Sequence, residues 1–394
     1  MTESKIIENY KNYVIPNYTR NPIVLIKGDG VYVWDENGKR YLDLFSGWAV
    51  SSLGHCHSNV ARAIQNQAAT LVHVPNTFYS EPQGLLAKYI SENSFNGQCF
   101  FCNSGAEANE AAIKLARIHC SSKGKYKIIT MEDSFHGRTL ATVTATAQPK
   151  YHDGFAPLVE GFTYVPFNDL GEVERAIDDK TCGIMLEPIQ GEGGINIADK
   201  EYLKGLREIC DDGEILLILD EVQSGMGRTG KYFAYQHYDI IPDIMTLAKS
   251  LGNGTAIGAM ESRKEIAKSL VPGSHASTFG GNPLACAASV AVFETIQSEN
   301  LLENVTKMGN YAFEQLRNIA KELDIIKEVR GIGLMIGIEL KIEASETVKK
   351  CMEAGLLLNC THESVIRFMP QLNVKKEHID EGLDILKNVL KSVN

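Results

Sequence analysis

Residues 215–254 read ILLILDEVQSGMGRTGKYFAYQHYDIIPDIMTLAKSLGNG, and two ionisable groups in this stretch stand where an apolar core would not choose them. Asp220 follows the continuous apolar run Ile215–Leu219, and Lys249 follows Ile244, Met245, Thr246, Leu247 and Ala248. Each run reads as a strand buried on both faces, the pattern of a parallel sheet covered by helices. In open sheets of this kind ligands sit at the carboxyl ends of the strands. A carboxylate and an ammonium left there unpaired cost several kcal/mol, so each needs a partner. Taken alone, Asp220 could cap a turn and Lys249 could reach solvent.

A flat, nitrogenous, carbonyl-bearing cofactor satisfies both groups. Pyridoxal 5′-phosphate (PLP) needs a lysine for a Schiff base with its aldehyde and a carboxylate to keep its ring nitrogen protonated. The other parts of such a site have to be found elsewhere in the chain.

At 394 residues, with 44% hydrophobic and 22% charged residues, the chain has room for two or three domains with ample core. A net charge of −10 and a pI near 5.6 argue against nucleic acid or an anionic membrane as a partner. The start, MTESKIIENYKNY, shows no cationic segment followed by an apolar one, and no apolar run approaches a bilayer span. Nine cysteines without framework spacing suit a reducing cytosol, so the expected location is cytoplasmic.

Residues 1–45 read as a helical lead-in and a short strand meander around the turn signals Gly28-Asp29-Gly30 and Asn37-Gly38. They form an N-terminal segment expected to join a small domain. From 46 to 284, helices alternate with the strand candidates Cys99–Cys102, Lys127–Met131, Gly183–Leu186, Ile215–Leu219 and Ile244–Ala248, which predicts an α/β large domain. From 285 to 394 the spacing predicts one long helical stretch to Leu323, then strands and a last helix, a smaller α+β domain.

Further motifs carry chemistry. In QCFFCNSGAEANEAAIKLARIHC a strand turns straight into a helix, with Ser104 as N-cap and Glu107 completing a capping box; Gly105 lets the backbone approach an anion at the helix start. A plain helix start is the alternative. KIITMEDSFHGRTLAT ends a strand in a loop with Phe135, His136 and Arg138, an aromatic able to stack on a planar ring and an arginine able to clamp a carboxylate. GIMLEPIQGEGG places Glu187 and Glu192 on a glycine-rich loop, either solvated or holding cationic groups in a cleft.

In order, SGAEAN, SFHGRT, EPIQGEGG, LDEVQSGMGRTG, the lysine of TLAKSLGNG and STFGGNPLAC closely resemble the class III (ω-amino) aminotransferases of the fold-type I PLP enzymes, over essentially the whole chain. The resemblance implies a PLP-binding large domain with a mostly parallel seven-stranded sheet beside the small domain. It implies that Lys249 carries the cofactor and then shuttles the substrate proton, that Asp220 pairs with the ring nitrogen, and that Gln223 reaches the ring hydroxyl. Val222 and Phe135 would sandwich the ring, with the neighbouring Glu221 counted among the cofactor-binding residues. Ser104 and the amides of Gly105 and Ala106 would take the phosphate, and Thr278 would reach the phosphate of a partner subunit, so an obligate homodimer is implied. On the substrate side, Arg138 is the implied carboxylate clamp, with Ser277, Tyr18 and Trp48 lining the pocket. Glu192 and Arg367 look like a switch pair, joined for the amine donor and parted for 2-oxoglutarate. Two departures stand out: Ala106 where many relatives have threonine, and Trp48 where relatives have a small aliphatic residue or tyrosine.

Competing signals are weaker. Gly225–Gly230 fits G-x-G-x-x-G, but a dinucleotide fingerprint needs its glycines in the immediate strand-to-helix turn, and Asp220–Ser224 intervene. Cys99-Phe-Phe-Cys102 and His55-Cys-His57 lack the paired ligand sets of a zinc site, so no metal is expected. A PLP aminomutase or racemase needs no dicarboxylate acceptor, against which Arg138 and the Glu192/Arg367 pair speak. A non-catalytic protein on the same scaffold is expected to lose Lys249 or Asp220.

Overall fold

A computed structural model gives the fold for residues 4–393. Its centre is a seven-stranded sheet in the order Gln98–Cys102, Gly258–Ser262, Ile244–Leu247, Leu216–Asp220, Thr181–Leu186, Lys127–Met131, Phe162–Val165. The pairings are parallel except at Gly258–Ser262, which runs against both its neighbours. The three central strands are buried along their whole length, as continuous apolar runs require.

Alternate residues of those strands serve opposite faces. Ile218 and Met185 pack under the helix Gly105–Cys120, whose Ala108, Ala111, Ala112 and Ala116 are all buried, small enough to bring the helix close to the sheet. Leu217, Leu219 and Ile184 face the other way, into a core shared with Leu203 and Leu206 of the helix Lys200–Gly213. With both faces covered, only the strand ends are free to form a site.

Two strands lie outside the sequence expectation. Phe162–Val165 is an edge, and Gly258–Ser262 buries Glu261, whose carboxylate accepts from Ser94 Oγ and from Gly97 N at 2.9 Å. That buried acid hides the strand from a search for apolar runs. The expected single helical stretch is also corrected: helices Pro283–Ser298 and Leu301–Glu322 are separated at Asn300, which takes the left-handed conformation (φ 51°) that asparagine tolerates better than most residues.

The N-terminal strands Leu25–Asp29, Tyr32–Asp35 and Arg40–Asp43 form an antiparallel meander turning at Gly30 (φ 56°) and Gly38 (φ 80°), and Arg40–Asp43 pairs in parallel with Leu356–Leu357. A separate antiparallel sheet, Ile326–Ile332, Met335–Leu340, Val365–Phe368 and Asn359–Thr361, accompanies the helices Ser345–Glu353 and Lys376–Val393. After Asp43 the chain enters a left-handed turn in which Ser46, Gly47, Trp48 and Ala49 all have φ between 48° and 62°. Each non-glycine residue there costs about 1 kcal/mol, and Asp43 helps to hold the turn by accepting from the amides of Phe45 and Ser46. Among the described residues no helix is long and apolar enough to cross a membrane.

Candidate active site

The carboxyl ends of five strands converge on a cavity of about 400 Å³ whose wall includes Ser104, Phe135, Asp220, Val222, Gln223 and Lys249. A larger hollow of about 670 Å³ lies beside Lys88, Phe100 and His275, and none of the sheet-end charges reaches it. The chemistry therefore belongs to the smaller cavity.

Asp220 is held by three hydrogen bonds: Oδ1 accepts from Val222 N (3.0 Å), and Oδ2 meets Asn109 Nδ2 (2.7 Å) and His136 Nδ1 (2.8 Å). Asn109 is itself oriented, because its Oδ1 accepts from Thr246 Oγ1 at 2.6 Å, which turns its amide nitrogen toward Asp220 and the carbonyl of His136. Sequence reasoning gave Asn109 and His136 no role. Asn109 sits in the middle of an alanine-rich helix, and only the fold brings it to the carboxylate. His136 was noted only as a neighbour of Phe135.

Lys249 follows the strand Ile244–Leu247 with its backbone in the left-handed region (φ 44°), which turns its side chain into the cavity. Burial pushes its ammonium below the ordinary lysine value, Glu192 and Asp220 oppose that, and Arg367 adds to it. A lysine poised this way can lose and regain a proton near neutral pH more readily than a solvated one.

Gln223 is buried and neither its Oε1 nor its Nε2 has a partner within the protein. Gln223 lines a cavity of ligand size, so a bound group could supply the partner its side chain lacks. Gly191 is what gives Gln223 room: a Cβ there would lie 1.9 Å from Gln223 Oε1.

Where the helix Gly105–Cys120 meets the cavity, Ser104 caps it by accepting from Glu107 N at 3.2 Å. The reciprocal half of the expected capping box is shifted, since Glu107 Oε2 accepts from Asn103 N (2.6 Å) and not from the N-cap amide. The amides of Gly105 and Ala106, in the first turn, have no helical carbonyl to bond and are oriented for an anion. A Cβ at Gly105 would meet Val222 Cγ1 at 2.8 Å. Gly105→Ala is therefore expected to push Val222 into the cavity and to lower stability by about 1–3 kcal/mol, read as the shift of the urea midpoint.

Arg138 also lines the cavity, its guanidinium 4.0 Å from the Tyr151 ring centroid and 5.4 Å from that of Phe135. The two aromatic rings, themselves edge to face, hold the fork while leaving its N–H groups free for a carboxylate. Glu192 and Arg367 are joined at 2.6 Å, and the buried Arg367 also donates from Nε (2.8 Å) and Nη2 to Asn359 Oδ1 and from Nη1 to Gly191 O (3.5 Å). Burial raises the Glu192 carboxyl, but Arg367, Lys249 and Lys150 together hold it below the ordinary value. Glu187 is neither solvated nor, among the described residues, paired with a cationic side chain but ties two loops together: Oε1 accepts from Phe135 N (2.9 Å) and Oε2 from Gly191 N (3.0 Å). Its own carboxyl is pushed up to about 7, by burial above all and by Asp220, against His136 and the two amides.

Not every expected residue reaches the cavity. Glu221 is a correction: its carboxylate faces away and accepts from Ala234 N, Tyr235 N and Ser224 Oγ, where burial pushes it up to about 7. Ser277 stands behind the wall, its Oγ accepting from Asn103 Nδ2 at 3.2 Å, and Thr278 is exposed outside this chain's own cavity. Tyr18 is exposed beside Arg20. Trp48 is half-exposed, its ring meeting that of Phe45 edge to face at 5.3 Å between centroids, and the Phe45 centroid lies 5.4 Å from the Arg367 guanidinium, so Trp48 borders the Glu192–Arg367 pair and not the cavity itself.

The run Gly225–Gly230 leads into turns and a short 3₁₀ segment at Ala234–His237, with no helix for a pyrophosphate. Cys99 and Cys102 lie within a strand, and among the described residues no group of three His, Cys, Asp or Glu could hold a metal.

Residues 13–390 match the family described as aminotransferase class-III. The chain is 54% identical to an acetylornithine aminotransferase of Caldanaerobacter subterraneus, over 97% of this chain and 98% of that one. It is 51% identical to an acetylornithine aminotransferase of Methanocaldococcus jannaschii over the full length of both. Among solved structures, an ornithine aminotransferase of Toxoplasma gondii, which has PLP at partial occupancy at its active site, superposes with a TM-score of 0.95 at 33% identity, covering 100% of this chain and 95% of that one.

Proposed function

The chain belongs to the class-III aminotransferases, and from that premise we propose that it binds PLP in the cavity and moves the terminal amino group of N2-acetylornithine to 2-oxoglutarate. The products are N-acetylglutamate 5-semialdehyde and glutamate, a step of arginine biosynthesis. The observation that carries the reading is the convergence of a desolvated Lys249 and a triply held Asp220 on one cavity with an unsatisfied Gln223 between its walls. The names of the relatives favour acetylornithine over ornithine, succinylornithine or 4-aminobutyrate as donor. We include a cytoplasmic homodimer in the proposal, supported by nine free cysteines and by the exposed Thr278 and Phe279 on one loop.

When bound, PLP supplies an aldehyde carbon that exchanges amino groups and a ring that takes up the electron pair left by a departing proton. Around it, Lys249 anchors and then moves the proton at the substrate carbon, using a nitrogen that burial keeps easy to deprotonate. Asp220, fixed by Asn109 and His136, keeps a proton on the ring nitrogen. Val222 and Phe135 would flank the ring, and the amides at Gly105 and Ala106 would hold the phosphate.

Arg138 orients the donor by its carboxylate. Arg138→Ala is expected to raise the donor KM about 10- to 100-fold while leaving PLP affinity nearly unchanged, as loss of one charge-assisted bidentate contact implies. Equal donor kinetics in that variant would remove Arg138 from the site. Glu192 neutralises Arg367 while the donor is bound, and its displacement frees the arginine for the second carboxylate of 2-oxoglutarate.

The donor itself is tested by mixing the yellow holoenzyme separately with N2-acetylornithine, ornithine, N2-succinylornithine and 4-aminobutyrate. The rate of bleaching of the visible band should be fastest with N2-acetylornithine. No response to any of the four would overturn the substrate assignment.

A further inference from the structure

Arg228 is fully buried, yet it takes no part in the chemistry described so far. Its guanidinium, pushed down to about 9 by burial, is held by neutral oxygens: Nη1 donates to the carbonyls of Leu334 (3.3 Å) and Pro370, and Nη2 to Ser52 Oγ at 2.7 Å. Burying an arginine in this way is expensive and calls for an explanation.

Beyond Ser52 the shorter distances select the direction of the hydrogen bonds. Ser52 Oγ lies 2.6 Å from Ser250 Oγ and 3.2 Å from Ala49 O, and Ser250 Oγ lies 2.7 Å from Ala49 O. A guanidinium only donates, so Ser52 Oγ must accept from it. Ser52 then has one proton to give, which goes to the nearer Ser250 Oγ, and Ser250 gives its own to Ala49 O. The chain runs Arg228, Ser52, Ser250, Ala49.

Its last bond ties one left-handed residue to the immediate neighbour of another. Ala49 closes the left-handed turn Ser46–Ala49, and Ser250 directly follows Lys249, itself left-handed at φ 44°. Such conformations persist only where the surroundings over-determine them. Backbone bonds add to the same junction: Leu334 N donates to Arg228 O (3.1 Å) and Leu372 N to Ser52 O (2.7 Å).

We propose that Arg228 is a positioning residue for the lysine: through Ser52 and Ser250 it locks the left-handed turn against the backbone beside Lys249 and so sets the direction from which the Lys249 amine works. This rests on the reading of Lys249 as the group that carries PLP.

The test uses holoenzyme variants Ser52→Ala, Ser250→Ala, Arg228→Met and Arg228→Lys. For each, kcat, donor KM and the pH midpoint of the visible PLP absorption are measured at matched folded concentration. Breaking the chain at any link is expected to lower kcat about 10- to 100-fold, the effect of a small misplacement of a reacting group. Donor KM should change less than about threefold, because the donor's own contacts remain. The pH midpoint should move by about one unit, since the environment of the lysine nitrogen changes. Arg228→Lys, which keeps a donor for Ser52, should recover part of what Arg228→Met loses, and Ser52→Ala should add little to Arg228→Met. Wild-type kcat and midpoint in both serine variants would overturn the proposal, as would Arg228→Met effects confined to thermal stability. A wild-type protein that gains no visible absorption with PLP would instead sink the assignment of Lys249.

Discussion

Replacing Lys249 by methionine is expected to lower kcat by about four orders of magnitude or more, the upper range for a general acid–base group, with a covalent anchor lost as well. Lys249→Arg should be as inactive, because a guanidinium keeps its charge and cannot give up a proton at working pH. Single-turnover kinetics of the donor half-reaction measure this directly, and a variant within tenfold of wild type would place the proton transfer elsewhere. The same variant has a stability signature of opposite sign. The folded-state pKa of Lys249 lies below the ordinary lysine value, so between the two values the unfolded chain binds more protons and stability rises with pH. Below that window the buried amine is a burden. Lys249→Met should therefore melt higher than wild-type apoprotein near neutral pH, with the gap closing as pH rises toward the unfolded value.

Asp220→Asn is the second large effect. It preserves shape and an acceptor for Asn109 or His136 but removes the charge that keeps a ring nitrogen protonated, so kcat should fall about 10²- to 10³-fold, as for loss of one preorganised electrostatic group. Asp220→Ala should add a folding cost of about 1–3 kcal/mol, because the buried Asn109 amide and His136 ring lose their shared acceptor. Near wild-type kcat in Asp220→Asn, with PLP bound, would show that the ring nitrogen needs no carboxylate here.

Asp220 and Lys249 could be read from the sequence because each charge ends an apolar run, and the other motifs, in order along the chain, outweigh a turn cap and a solvated lysine. Phe135, Arg138 and the Ser104–Ala106 turn could be read because strand-to-loop boundaries are local. The partners that fix Asp220 could not. Asn109 is one polar residue in a helix, and its meeting with Asp220 and Thr246 depends on how the helix lies on the sheet. The strand Gly258–Ser262 was hidden by a buried glutamate satisfied from residues 94 and 97. The break at Asn300 was hidden by apolar spacing that continues across it. The left-handed turn at 46–49 has one glycine in four residues, and nothing local predicts four consecutive positive φ angles. Glu221 was misplaced because adjacency to Asp220 in sequence puts its side chain on the opposite side of the strand end.

The loop that bears Glu192 is pinned on both flanks: Gly191 N donates to Glu187, and Glu192 O accepts from Thr361 Oγ1 at 2.6 Å. With the main chain clamped, only torsions about the carboxylate's own stem remain to separate it from Arg367. Such a change moves one side chain and needs no segmental opening, which takes microseconds to milliseconds. Alternation between the two co-substrates should accordingly set no speed limit on the catalytic cycle, and thickening the solvent with sucrose should leave the exchange between them untouched.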